Sequence, residues 1–381
     1  MDDVFIAGVG ELPQGRSALP HTMTLHAELA RRALEDAGLE LDQVDAVLTV
    51  SPRSDPYLIH AAALAEYLGI QPAVAWTLEA GGAAPASMVE TARGLIRGGS
   101  ASTVLIVAAD MPLGAASRAA YVTALAEAGP VHPELEVPYG PTVPAMFALV
   151  ARAYAQRWGD IEEQLAAVAM HDRSAAADHP NAHHREPFDA AAYRASRMIA
   201  DPLRLLDCAP VSDGGGALVL TGTPGTRRVP VRGAGFATGH MHLSAAASLT
   251  EFPAGRALDA ALRQAGAARS DIDVALVYDC FTIAMLVNLE DLGLAARGQA
   301  GRDFLQGRFG RGGDLPVNTH GGLLSHGHPA RAGGMGNVIE AVAQLRGEAG
   351  PRQSGQPMLA MAHGMGGVFA THGALLLGAP Q

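Results

Sequence analysis

The chain has 381 residues, 49% of them hydrophobic and 17% charged, and its 27 basic and 38 acidic residues leave a formal net charge of −11. That balance offers no sequence-wide basic surface for nucleic acid, and no apolar run reaches the length needed to span a bilayer. All the basic residues are arginines, and the two cysteines, Cys208 and Cys280, show no metal or redox spacing.

The chain starts MDDVFIAGVG, which is acidic and runs straight into a strand-like segment rather than a signal peptide, so a cytoplasmic enzyme is expected. Residues 4–9 read as a buried strand and 22–38 as an amphipathic helix ending in glycine. Strand 44–50, helix 57–69, strand 73–78, helix 83–99 and strand 103–109 follow. Strands alternating with helices predict an α/β protein with a mostly parallel sheet covered on both faces.

The pattern breaks between about 110 and 202. Two helical stretches, 143–158 and 161–177, precede the polar segment DHPNAHHREPFD, and the region reads as an inserted loop or lid. His171, His179, His183 and His184 fit no standard ligand spacing and are expected to be solvated loop histidines, with no metal site. The sequence from Ser196 to Leu220 then returns to the sheet through the turn SDGGGA, with Cys208 as a structural residue.

A repeat follows. ALEDAGLELDQVDAVL from Ala33 matches ALRQAGAARSDIDVAL from Ala261, with Asp45 aligned on Asp273, and MVETARGLIRGG corresponds to NVIEAVAQLRGE as the next helix. Two similar halves of this size indicate duplication.

Three motifs carry chemistry. NTHGGLLSHGHPARAGGMG, from Asn318 to Gly336, is a glycine-rich loop running into a helix start. It places His328 where an imidazole can donate to an oxyanion, although a structural turn with a capping histidine has the same spacing. VYDCFT, from Val277 to Thr282, holds Tyr278, either an acid/base phenol or a core tyrosine at a strand end. MAHGMGGVFATHGALLLG holds His363 at a glycine loop and His372 within an alternating strand.

These motifs resemble those of the thiolase superfamily, and the resemblance covers nearly the whole chain, least clearly the insert. GHP is similar to the family's loop whose histidine polarises an acyl-CoA thioester carbonyl. VYDCFT resembles the HDCF signature of sterol-carrier-protein-type thiolases and the NEAF signature of standard ones. The resemblance implies a five-layered α/β/α/β/α fold of two facing halves, residues 1–225 with the insert at about 110–202, and residues 226–381. It also implies a homodimer with strand 73–78 at the interface, and no cofactor beyond the CoA thioester of the substrate. Gly82, Gly322, Gly327 and Gly366 are expected to let that substrate approach the backbone.

The chain departs from the family at the nucleophile. The matching position is Gly82 in LEAGGAAPASMVETA, its neighbours Gly81 and Ala83 offer no thiol, and Ser87 lies about a turn too far along. Where the family keeps a second cysteine as acid/base, this chain has Met361, Ala362, His363 and Gly364. Ordinary ping-pong thiolysis is therefore not expected.

What survives is the enolate-handling half of a thiolase, which looks like the side-chain-cleaving aldolases of bacterial steroid degradation. That resemblance implies retro-aldol cleavage of a β-hydroxyacyl-CoA and pairing with a small OB-fold, zinc-ribbon protein. His328 is assigned to the thioester oxygen and Tyr278 to the β-hydroxyl proton, with His363 as the alternative acid/base. One aldolase subgroup has a second tyrosine where this chain has His328. Two other readings stand beside this one: a catalytically silent subunit that binds acyl-CoA or lipid, and an acyltransferase with an unrecognised nucleophile.

Overall fold

Short aliphatic runs separated by amphipathic, glycine-terminated segments set the first elements. The computed structural model describes residues 4–55, 57–115 and 131–380. In it these elements are β1 (Phe5–Glu11), α1 (Thr22–Ala37), β2 (Ala46–Thr49), α2 (His60–Leu68), β3 (Val74–Thr77), α3 (Ala84–Arg97) and β4 (Thr103–Asp110). Residues 116–130 of the expected insert lie outside the described residues. The rest of that region holds α4 (Val143–Trp158), α5 (Glu162–Ala177) and a small ribbon of β5 (Met198–Ala200) and β6 (Leu203–Arg204). Then come β7 (Gly214–Thr221), β8 (Val229–Thr238), α6 (Ala254–Ala265), β9 (Val274–Leu276), α7 (Thr282–Asp291), α8 (Met335–Arg346), β10 (Leu359–Gly366) and β11 (Thr371–Gly378).

The strands form one sheet in the order β3-β2-β4-β7-β1-β8-β11-β10-β9. Only its ends are parallel, β3-β2-β4 on one side and β10-β9 on the other, while every pairing between β4 and β10 is antiparallel. The expected mostly parallel sheet is thus corrected to a mixed one. Alternating helices announce parallel crossovers, but β7 returns after the insert and runs between β1 and β4, and β10 turns directly into β11.

Five layers follow from which faces bury what. α1 and α2 pack with the outer face of β2, β4 and β7. α3 and α8 form one apolar cluster with strands of both half-sheets, and so make the central layer. α4, α5, α6 and α7 cover the outer side of the second half. α8 is buried on nearly every side, including Glu340, which pairs with Arg352 at 2.8 Å.

The repeat is preserved atom by atom. α1 ends at Gly38 with φ 65°, and α6 ends at Gly266 with φ 64°. Asp45 accepts from the backbone N–H groups of Ser102 and Thr103 at 2.7 and 3.0 Å, and Asp273 accepts from Met358 and Leu359 at the same two distances. Each aspartate therefore pins the start of the parallel strand that pairs with the one it precedes, β4 beside β2 and β10 beside β9. Two loops and two strand ends converge beside the N-terminus of α3, and the chemistry-bearing motifs lie there.

Candidate active site

Tyr278 sits two residues beyond β9 and is 4% exposed. Its backbone is braced from three sides. Asn318, at a left-handed φ of 46°, clamps Val277 with its amide, accepting from Val277 N–H at 2.7 Å and donating to Val277 C=O at 2.9 Å. Asn288 on α7 donates to the Tyr278 carbonyl at 2.8 Å, and the Tyr278 N–H donates to His363 Nδ1 at 3.4 Å. The phenol oxygen lies 3.1 Å from His328 Nε2.

His328 is half-buried in a loop that is not the helix start expected from its spacing. Gly322–His326 winds as one π-turn, Ala330–Ala332 as a 3₁₀ turn, and α8 begins only at Met335. Pro329 and the positive φ of Ala330, 46°, break the path to the helix. The loop is held instead by Ser212, whose hydroxyl accepts the His328 N–H at 3.1 Å and lies 2.9 Å from His183 Nδ1.

Burial lowers the His328 imidazole to about 4, so the ring is neutral at pH 7. Nε2 faces the phenol across that 3.1 Å contact, and the tautomer of the neutral ring decides which of the two groups donates.

Gly82 lies in the 3₁₀ turn Gly81–Ala83 that leads into α3. A Cβ added there would stand 2.3 Å from Tyr278 Cε2 and 2.4 Å from its Cζ and hydroxyl oxygen. The phenol fills the volume that any side chain at Gly82 would need, a cysteine included. Gly334 and Gly364 close on the same residue, because a Cβ at either would lie 2.5 Å from the Gly82 carbonyl oxygen. Ser87 faces away, its hydroxyl on the Ala83 carbonyl at 3.3 Å.

The other expected glycines meet protein. A Cβ at Gly322 would fall 2.1 Å from Asp279 Oδ2, one at Gly327 2.7 Å from Gln14 Cβ, and one at Gly366 2.2 Å from the Ala80 carbonyl oxygen. Their small size serves chain packing under the loops.

His363 lies on β10, 1% exposed, with both ring nitrogens engaged. Its neighbour His372 lies 3.2 Å from the Phe369 carbonyl through Nε2, so that nitrogen donates and His372 Nδ1 accepts. His363 Nε2, 3.1 Å from that Nδ1, is then the donor, which leaves His363 Nδ1 to accept from Tyr278 N–H. Burial drives His363 well below the ordinary histidine value. The neutral chain supports the backbone of Tyr278 from behind.

Of the four histidines expected to be solvated, His184 is exposed, His171 and His183 are half-buried and His179 is buried. His171 bonds the Val317 carbonyl at 2.9 Å, and His179 is 5% exposed beside Glu11 and His326. His179 Nδ1 accepts from Asn181 N–H at 3.1 Å, so its proton sits on Nε2, facing the Glu11 carboxylate at 3.7 Å. His326 Nε2 lies 3.0 Å from the same carboxylate. With Nδ1 taken by the Asn181 N–H and the proton on Nε2, His179 as placed has no lone pair to offer a metal ion.

Cys280 is buried, and burial pushes its thiol well up; Cys208 is half-buried with its Sγ 3.3 Å from the Arg204 carbonyl. Cys280 therefore provides no thiolate nucleophile. The supporting residues Ser212, Asn288 and Asn318 carry no sequence signal of their own, since short polar residues near turns are common.

Residues 235–379 match the family model described as thiolase C-terminal domain-like. The acetyl-CoA acetyltransferase of Methanothermobacter thermautotrophicus is 30% identical over 97% of this chain and 98% of its own length. The steroid side-chain-cleaving aldolase of Thermomonospora curvata is 33% identical over 90% of each. The solved Ltp2-ChsH2(DUF35) aldolase superposes with a TM-score of 0.87 at 30% identity, covering 99% of this chain and 98% of the matched one. No helix among the described residues is long and apolar enough to cross a membrane.

Proposed function

The chain belongs to the thiolase superfamily, and from that premise we propose that it is a carbon–carbon lyase cleaving a β-hydroxyacyl-CoA by a retro-aldol reaction. Its relatives include both an acyltransferase and an aldolase, so the site must choose between them. The observation that chooses is the interlock of Gly82 with Tyr278. A nucleophilic side chain and this phenol cannot share the space, and the chain has kept the phenol.

In this reading the Tyr278 oxygen takes the β-hydroxyl proton while its own proton passes to His328 Nε2, across the 3.1 Å contact. The Cα–Cβ bond breaks, leaving a ketone or aldehyde and a thioester enolate. The imidazolium so formed sits beside the developing negative charge, as electrostatic stabilisation requires. The proton then returns through the phenol to Cα, and the acyl-CoA product leaves with no change in oxidation state and no cofactor.

The substrate class we infer is a β-hydroxyacyl-CoA with a branched lipid or steroid side chain, supported by the aldolase likeness. A DUF35-type partner, small and of the OB-fold, zinc-ribbon kind, is part of the proposal, supported by the second subunit named with the solved aldolase. So is a homodimer through the edge strand β3, where Trp76 is 51% exposed and the nearby α2 segment leaves Tyr67 52% exposed. The deciding experiment incubates the protein with such a thioester and follows products by liquid chromatography with mass detection. Equal amounts of carbonyl product and shortened acyl-CoA, with no acyl adduct on the protein, are expected. An acyl-enzyme would return the chain to acyl transfer.

A further inference from the structure

Behind the site lies a pair of carboxyl groups that the cleavage step does not use. Asp279 follows Tyr278 directly and is fully buried. Its oxygens accept the backbone N–H groups of Leu323 and Leu324 at 2.8 and 3.1 Å, so it ties the Tyr278 segment to the loop that carries His328. Asp172, in the middle of α5, is equally buried and reaches the Asp279 carboxyl. Neither oxygen of Asp172 finds an N–H or O–H donor among the described residues. The imidazole near it, His171 Nε2 at 4.0 Å, is spent on the Val317 carbonyl and is held neutral by burial.

An isolated carboxylate in such a place would cost several kcal/mol, and two carboxylates in contact would cost more. A carboxylic acid in contact with a carboxylate removes both costs with one short, charge-assisted hydrogen bond. Asp279 already receives two backbone donors and Asp172 receives none, so the proton belongs on Asp172.

We propose that Asp172 is a neutral acid that donates to the Asp279 carboxylate, and that this proton-sharing pair positions Tyr278 against the His328 loop. Burial pushes both groups above the ordinary carboxyl range, Asp172 the further. The packing leaves little slack: a Cβ at Gly321 would lie 2.8 Å from the Asp172 carbonyl oxygen, and one at Gly322 2.1 Å from Asp279 Oδ2. Asp172 touches no reacting atom and acts through Asp279 on the approach of phenol to imidazole.

The kinetic part of the test rests on the aldolase reading, and the spectroscopic part does not. Infrared difference spectra of wild type and Asp172→Asn at pH 7 are expected to show the loss of one carbonyl stretch typical of a neutral carboxylic acid. Asp172→Asn keeps a donor toward Asp279, so kcat should stay within about threefold. Asp172→Ala leaves the Asp279 contact empty, and should lower kcat about tenfold or more with KM little changed. Circular dichroism and melting confirm that each variant is folded. The proposal is overturned if no neutral-acid band disappears, or if folded Asp172→Asn is as impaired as folded Asp172→Ala. Should the wild type cleave no β-hydroxyacyl-CoA at all, the infrared band alone decides the pairing.

Discussion

Substituting Gly82 by alanine tests the interlock with one methyl group. The added Cβ would start 2.4 Å from the Tyr278 hydroxyl oxygen, and ordinary contact begins near 3.4 Å. The phenol must therefore withdraw by about 1 Å, or the 3₁₀ turn at Gly81–Ala83 must shift by as much. A shift of that size takes the phenol oxygen away from the position in which it makes its 3.1 Å contact with His328. Overpacking of this kind costs about 1–3 kcal/mol in stability, a fall of several degrees in Tm. Loss of the proton path should lower kcat by about a hundredfold, since misplacement by about 1 Å is enough for that. The assay is carbonyl release from a β-hydroxyacyl-CoA, read beside a melting curve. Adding Tyr278→Ala to Gly82→Ala should restore none of the activity, and the two losses in stability should combine to less than their sum, because the clash exists only while the phenol is present. If Gly82→Ala alone keeps wild-type kcat and Tm, the phenol does not fill the place of a missing side chain, and the argument from the interlock fails.

Three further outcomes follow from the same geometry. Tyr278→Phe keeps the packed ring against Gly82 and removes only the hydroxyl, so kcat should fall by about a hundredfold or more with KM little changed; wild-type turnover would redirect attention to His363. Replacing both Cys208 and Cys280 by alanine should leave cleavage largely intact, and iodoacetamide should not abolish it, whereas loss of turnover in a folded Cys280→Ala protein would revive thiol chemistry. Stability should fall steeply as pH drops from about 6.5 toward 4. His26, His60 and His372 are held near 4 and His179 near 3, chiefly by burial. Their unfolded forms bind protons first, so the contribution is complete above the ordinary histidine value and is lost on acidification. Each adds up to about 1.4 kcal/mol per pH unit to the slope. Urea midpoints that stay flat between pH 7 and 5 would contradict the buried neutral histidines.

What the sequence determined by itself is what local pattern encodes. Period and glycine punctuation place β1 through β4 and α1 through α3 within a few residues, and the matched runs from Ala33 and Ala261 announce the duplication. The missing thiol at Gly82 and the phenol at Tyr278 are also legible as residue types in recognisable motifs. The tertiary structure decided what depends on which distant atoms meet. β7 separates β1 from β4 because it returns antiparallel after the insert, and alternation along the chain carries no information about that direction. His179 is buried because Glu11, 168 positions earlier, comes to face it, so a polar sequence there is no sign of solvent. His363 supports Tyr278 from behind because His372 and the Phe369 carbonyl fix the tautomer of the whole chain. Gly82 and Tyr278 lie 196 residues apart, and no spacing rule says that one residue's absent side chain is the other's room. Only packing at van der Waals distance makes those two substitutions a single fact.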